Sequence, residues 1–138
     1  MKTNFKTIKV KDIVEKYVNN TDEGVKGYNG RLNIRPAYQR EFIYNDKQQK
    51  AVIDTILKGF PLNTMYWSVN NDKYELIDGQ QRILSICKFV NGEFDVDSKF
   101  FHNLDAQKKE QILNYELQVY LCEATNEERK ELHVLANT

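Results

Sequence analysis

Cysteine is scarce in this 138-residue chain: Cys87 and Cys122 stand among apolar neighbours with no CxxC spacing. That excludes a disulfide-stapled scaffold and predicts two reduced, buried thiols in a cytosolic protein. Histidine is equally scarce, and the isolated His102 and His133 build no metal site without help from scattered carboxylates. No apolar run approaches the ~20 residues of a membrane helix. The opening MKTNFKTIKV has no apolar stretch of the kind a secretory signal needs. A cytoplasmic location without membrane association is therefore expected. The patterns GxxxxGK[ST], GxSxG and HExxH are all missing, which excludes a P-loop NTPase and the commonest hydrolase signatures. Carboxylates and histidines are nowhere gathered as a metal-dependent nuclease requires, so no resident metal is expected.

Net charge is absent too, with 20 Lys and Arg against 20 Asp and Glu, so nothing global advertises nucleic acid. Its distribution is uneven. Residues 1–50 carry eleven basic against six acidic side chains, and residues 91–138 carry five against ten. That asymmetry fits a basic face turned towards phosphates, and equally two ends that attract each other in the fold. Aromatic residues reach 12%, with eight Tyr and seven Phe, at a mean hydropathy of −0.67. The composition is that of a globular domain with a real core, and a chain of this length buries roughly two-thirds of its unfolded surface.

Periodicity predicts the elements. Thr7–Val10 reads as a short extended piece and Lys11–Asn19 as a helix. Residues 19–30 read as a loop with turn residues at both ends, and Arg31–Arg35 as a strand stopped by Pro36. Asp46–Gly59 is the clearest helix, capped by Asn45 or Asp46, with Gln49, Val52, Ile53, Ile56 and Leu57 on one face. Leu62–Val69 and Lys73–Ile77 form strands around an Asn70-Asn71-Asp72 turn, and a helix follows over Gln80–Val90. Leu104–Asn114 is a further helix and Leu117–Cys122 a strand. Thr125 and Glu128 form a capping box before a last helix over Glu127–Leu135.

The informative stretch is Ile77-Asp78-Gly79-Gln80-Gln81-Arg82. A strand ends, one glycine allows a sharp turn, and a helix begins, so unpaired N–H groups and the positive end of a helix dipole meet at one place. Arg82 in the first helical turn opposes that dipole by ~0.3–1 kcal/mol. A bound phosphate would reverse the sign, and guanidinium grips phosphate bidentately. The structural alternative is that Asp78 is simply the N-cap and Arg82 its partner. A second stretch, Arg35-Pro36-Ala37-Tyr38-Gln39-Arg40, offers either further phosphate contacts or a loop anchored by Tyr38 and Phe42. Tyr66 and Trp67 are expected in the core, and His102 as a buried, hydrogen-bonded imidazole.

Together the Tyr-Gln-Arg turn and the DGQQR helix start resemble the N-terminal domain of GmrSD-type, modification-dependent restriction endonucleases. The resemblance covers roughly residues 28–92 well and the remainder loosely. It implies an α+β, ParB/sulfiredoxin-like fold, a small mixed sheet packed with helices, spanning residues 1–138 as one domain of a longer protein. It further implies that Gly79, Gln80, Gln81 and Arg82 cradle the phosphates of an NTP, with Gln39 and Arg40 completing the pocket. Asp78 would hold the turn or assist a Mg²⁺ or water, so Asp78 and Arg82 are the candidate catalytic residues. In such systems cleavage is commonly assigned to a separate HNH-type domain, and nothing in this chain resembles one. The chain alone is therefore not expected to be a complete endonuclease, and NTP hydrolysis stays open. A DNA-backbone-binding or nicking domain is the alternative, and a non-catalytic interaction module the third. Two departures stand out: Tyr44 where the family usually has Trp, and Leu84-Ser85 where it usually has Thr-Thr. The missing hydroxyl bears on catalysis more than on binding.

Overall fold

The computed structural model describes residues 1–20, 24–36 and 44–136. Among them seven strands form one mixed sheet: β1 (Lys2–Lys9), β2 (Val18–Asn20), β3 (Gly24–Gly27), β4 (Leu32–Pro36), β5 (Met65–Asn70), β6 (Lys73–Asp78) and β7 (Glu116–Glu123). Their order is β1-β7-β5-β6-β4-β3-β2. β7 runs parallel to β5, β4 parallel to β6, and the remaining neighbours are antiparallel. The helices are α1 (Val10–Ile13), α2 (Asp46–Leu57), α3 (Gln80–Val90), α4 (Ala106–Leu113) and α5 (Asn126–Ala136), with a 3₁₀ turn at Phe101–Asn103. This is a mixed α+β fold, as the family resemblance implies.

Strand alternation gives the sheet two unlike faces. Met65 and Trp67 of β5, Leu76 of β6, Leu32 and Ile34 of β4, and Leu117 and Val119 of β7 are buried on one face. There they join Val52, Ile53 and Ile56 of α2 and Ile83, Leu84 and Ile86 of α3 in a single core. Cys87 lies in the same core, and burial together with the nearby Glu93 charge pushes its thiol pKa up. Both cysteines are free and buried. The opposite face carries Ser68 and Cys122, also buried, and α5 packs against β6.

Helix starts follow their caps. Asn45, not Asp46, caps α2: its Oδ1 accepts from Gln48 N at 2.9 Å while Gln48 Oε1 accepts from Asn45 N at 3.0 Å. Thr125 and Glu128 make the same reciprocal pair before α5. Asn71, at φ +59°, makes the β5–β6 turn.

Three stretches differ from the sequence reading. β1 runs over Lys2–Lys9, where the sequence predicts an extended piece only over Thr7–Val10. Helix α1 stops at Ile13 instead of running to Asn19; Lys16 takes φ +56° and the chain turns into β2. The expected loop over residues 19–30 contains β3, paired with both β2 and β4. Its only apolar side chain, Val25, is fully buried, and the strand is set by its neighbours, not by its own pattern. β3 ends on Gly27, where a Cβ would stand 2.7 Å from Ile13 O and 3.1 Å from Ile34 Cδ1. Gly27→Ala should therefore destabilise the fold by about 1–3 kcal/mol through overpacking. The measurement is the urea midpoint, and an unchanged midpoint would show that α1 yields without cost.

Candidate functional site

The DGQQR segment sits where β6 leaves the sheet and α3 begins. Asp78 is the last residue of β6, and the N-cap of α3 is Gly79, not Asp78. Gly79 adopts φ +99°, a left-handed conformation open to glycine and strained for other residues. No side chain caps the helix, and its first turn holds no acidic residue. The N-terminal N–H groups of α3 therefore keep their positive end without a carboxylate inside the first turn.

Each motif side chain ties a different segment to this turn. Gln80 Nε2 donates to Ile34 O of β4 at 2.8 Å. Gln81 Oε1 accepts from Tyr44 N, just before α2, at 3.2 Å. Ser85 Oγ donates back to Gln81 O at 2.8 Å within the helix. Arg82 Nη1 donates to Asn63 O at 3.2 Å, and Nη2 lies 3.6 Å from Asp78 Oδ2. The loop carrying Asn63 is itself pinned by Tyr115, whose hydroxyl donates to Phe60 O at 2.7 Å and accepts from Leu62 N at 3.0 Å.

Arg82 thus folds back over Gly79, with its side chain 14% exposed against 33% for Asp78. Its Nη2 stands 3.2 Å from where a Gly79 Cβ would be. The Arg82–Asp78 pair that the structural alternative anticipates is present, but a guanidinium has five N–H donors and two contacts do not exhaust it. A positive helix end and a guanidinium converge on one glycine, with a single carboxylate beside them. Chemically this arrangement suits an oxyanion.

Gln39 and Arg40 lie outside the described residues, with Tyr38 and Phe42. Their described flanks are informative all the same. Ile34 is held by Gln80 and Tyr44 by Gln81, so the chain enters and leaves that segment at the first turn of α3. His102 is exposed and stacks on Phe100 at 5.8 Å, contrary to the buried imidazole expected for it. The His133 side chain is outside the description. Among the described residues no three His, Cys, Asp or Glu gather to hold a metal ion. An open recess lined by Lys50, Asp54, Asp95 and Asp97 shares no residue with the motif, and Asp54 there pairs with Lys58 at 2.8 Å.

Residues 11–136 match the family model described as the GmrSD restriction endonuclease, N-terminal domain. The chain belongs to that family. No curated protein and no solved structure gives a significant match. In this GmrSD N-terminal domain the DGQQR segment is thus the joint of the sheet, where an uncapped helix start and the Arg82 guanidinium meet. A Cβ on Gly79 would also overlap the Met65 side chain. Gly79→Ala should accordingly cost roughly 2–5 kcal/mol, combining left-handed strain with overpacking. Gly92→Ala, at φ +79° with nothing within 4 Å, should cost only about 1–2 kcal/mol. Equal losses in chemical denaturation would show that the Gly79 turn is not crowded.

Proposed function

We propose that this domain binds the phosphates of a nucleoside triphosphate at the Gly79–Arg82 turn, as a cytoplasmic regulatory part of a modification-dependent DNA restriction system. One observation carries the reading: α3 starts on a left-handed glycine with no side-chain cap, and the Arg82 guanidinium folds over that same glycine. Phosphate oxygens there accept from backbone N–H groups and from Arg82 together, and their charge offsets an arginine otherwise placed against the helix dipole. Gln39 and Arg40 belong to this reading through the segment whose two flanks are tied to Gln80 and Gln81. A ParB/sulfiredoxin-like fold, in which phosphates lie at a glycine turn before a helix, is its fold-level counterpart.

The residues fit a Mg²⁺ that arrives with the nucleotide. Such an ion keeps several waters and needs only one or two carboxylates beside the phosphates. Asp78, a third exposed and next to the turn, is the carboxylate that would face it. Asp78 also restrains Arg82, so its roles in holding the turn and in meeting the ion are one position with two partners. The DNA-backbone reading draws on the basic excess of residues 1–50 and predicts binding that falls steeply with salt. In the nucleotide-binding reading cleavage of DNA falls to an HNH-type partner domain, whereas a nicking domain would cut one strand itself.

Calorimetry of the full-length protein with an NTP and Mg²⁺ tests the site. Arg82→Ala should weaken binding about 10- to 100-fold, the range for a hydrogen bond to a charged group. A urea melt of the same variant separates that loss from unfolding, because Arg82 also holds Asn63. Undiminished affinity in a folded Arg82→Ala protein would sink the assignment.

A further inference from the structure

The loop between α2 and β5 carries the carbonyl that orients Arg82. Asp78 Oδ2, 3.6 Å from the guanidinium, is too far for a hydrogen bond, so Asn63 O at 3.2 Å fixes its direction. The start of this loop is tied to α2 by Gly59 N donating to Ile56 O at 3.0 Å and Phe60 N to Thr55 O at 3.1 Å. Further on, Pro61 has no N–H to donate, and among the described residues no main-chain partner holds residues 61–63. Tyr115 supplies what is missing there. Its hydroxyl donates to Phe60 O at 2.7 Å and accepts from Leu62 N at 3.0 Å, bridging the chain across the proline.

We infer that Tyr115 is a positioning residue for the phosphate site: by bracing residues 60–62 it sets Asn63 O, and through that carbonyl the Arg82 guanidinium over Gly79. The inference rests on the phosphate reading of that turn. Tyr115 suits the task because its own main chain is fixed at the junction of α4 and β7. Its N–H donates to Ile112 O at 3.2 Å and its carbonyl accepts from Val10 N at 3.0 Å. Its ring is half-buried, and a tyrosine has few flexible side-chain dihedrals, so the hydroxyl stands on a stiff arm. The neighbouring contacts do not reach as far. Gln111 Nε2 donates to Leu57 O at 2.7 Å, at the end of α2 and before the loop. Thr64 Oγ1 donates to Gln118 Oε1 at 3.3 Å, an exposed bond that ties a side chain and not the main chain. With the Tyr115 hydroxyl gone, Arg82 keeps its charge but must be ordered by the anion itself, and ordering a long side chain weakens binding.

Nitrogen-15 NMR of the full-length protein reads the order of the Arg82 Nε–H group, assigned by its disappearance in Arg82→Ala, and calorimetry with an NTP and Mg²⁺ reads binding. Tyr115→Phe removes only the hydroxyl. Gln111→Ala removes a bond to the end of the same helix and is the control. Both should lower the urea midpoint. Tyr115→Phe alone should lower the heteronuclear NOE of Arg82 Nε and weaken NTP binding about 2- to 10-fold. In an Arg82→Ala background it should cost no further affinity. An Arg82 signal as ordered in Tyr115→Phe as in the wild type overturns the inference. So does undiminished affinity in that variant, or an equal loss of affinity in Gln111→Ala, which would mark a general loosening. A wild type that binds no NTP removes the phosphate reading instead, and the Arg82 signal alone then upholds or overturns the positioning.

Discussion

Strand β6 must leave the sheet and α3 must start within the space of one residue, against a packed Met65 side chain. That constraint governs the structure around it. Only a residue without a Cβ fits between Met65 and the Arg82 guanidinium, and only a left-handed backbone turns the chain sharply enough. Once the turn is fixed, the side chains of the first helical turn fall within reach of β4, of the entry to α2 and of the Asn63 loop. Gln80, Gln81 and Arg82 each bond to one of these. Three segments distant in sequence are thereby indexed to one helix end.

The same geometry explains why stability and binding are hard to separate at this site. Arg82 satisfies a loop carbonyl and approaches a carboxylate, which keeps its charge positioned when no ligand is bound. A guanidinium held this way loses less rotamer freedom on meeting an anion than one swinging in solvent. The restraint by Asp78 is weak at 3.6 Å and partly exposed, where such pairs contribute ~1 kcal/mol or less. An arriving phosphate competes against little.

Much of this was legible from residue types. The Asn45 cap, the apolar face of α2, the Asn71 turn and the glycine before Gln80 each have a local cause, and α3 begins and ends where its pattern places it. What stayed hidden has non-local causes. β1 reads as only a short extended piece because most of its residues are exposed, so no alternation marks it. β3 has one buried aliphatic side chain between two glycines and exists because β2 and β4 flank it. Arg82 bonds to a main-chain carbonyl of Asn63, a partner that no side-chain motif can announce. Tyr66 is 37% exposed where a core position is expected, because alternation shows that neighbours face opposite ways, not whether the second face is covered.

The position of β1 has a consequence for how the molecule is made. Lys2 pairs with Glu123, and among the described residues β1 has no other neighbour in the sheet. Of the seven described strands β1 is made first and waits for β7, made last, while β4, β5, β6, α2 and α3 already have partners close in sequence. Contacts of such long separation close slowly because loop entropy is lost before they reward it. During that interval β5 presents an unpaired edge where β7 will later dock, and Lys2, Lys6 and Lys9 keep the waiting strand charged and solvated. The lysines of β1 are thus gatekeepers of synthesis as well as features of the finished surface.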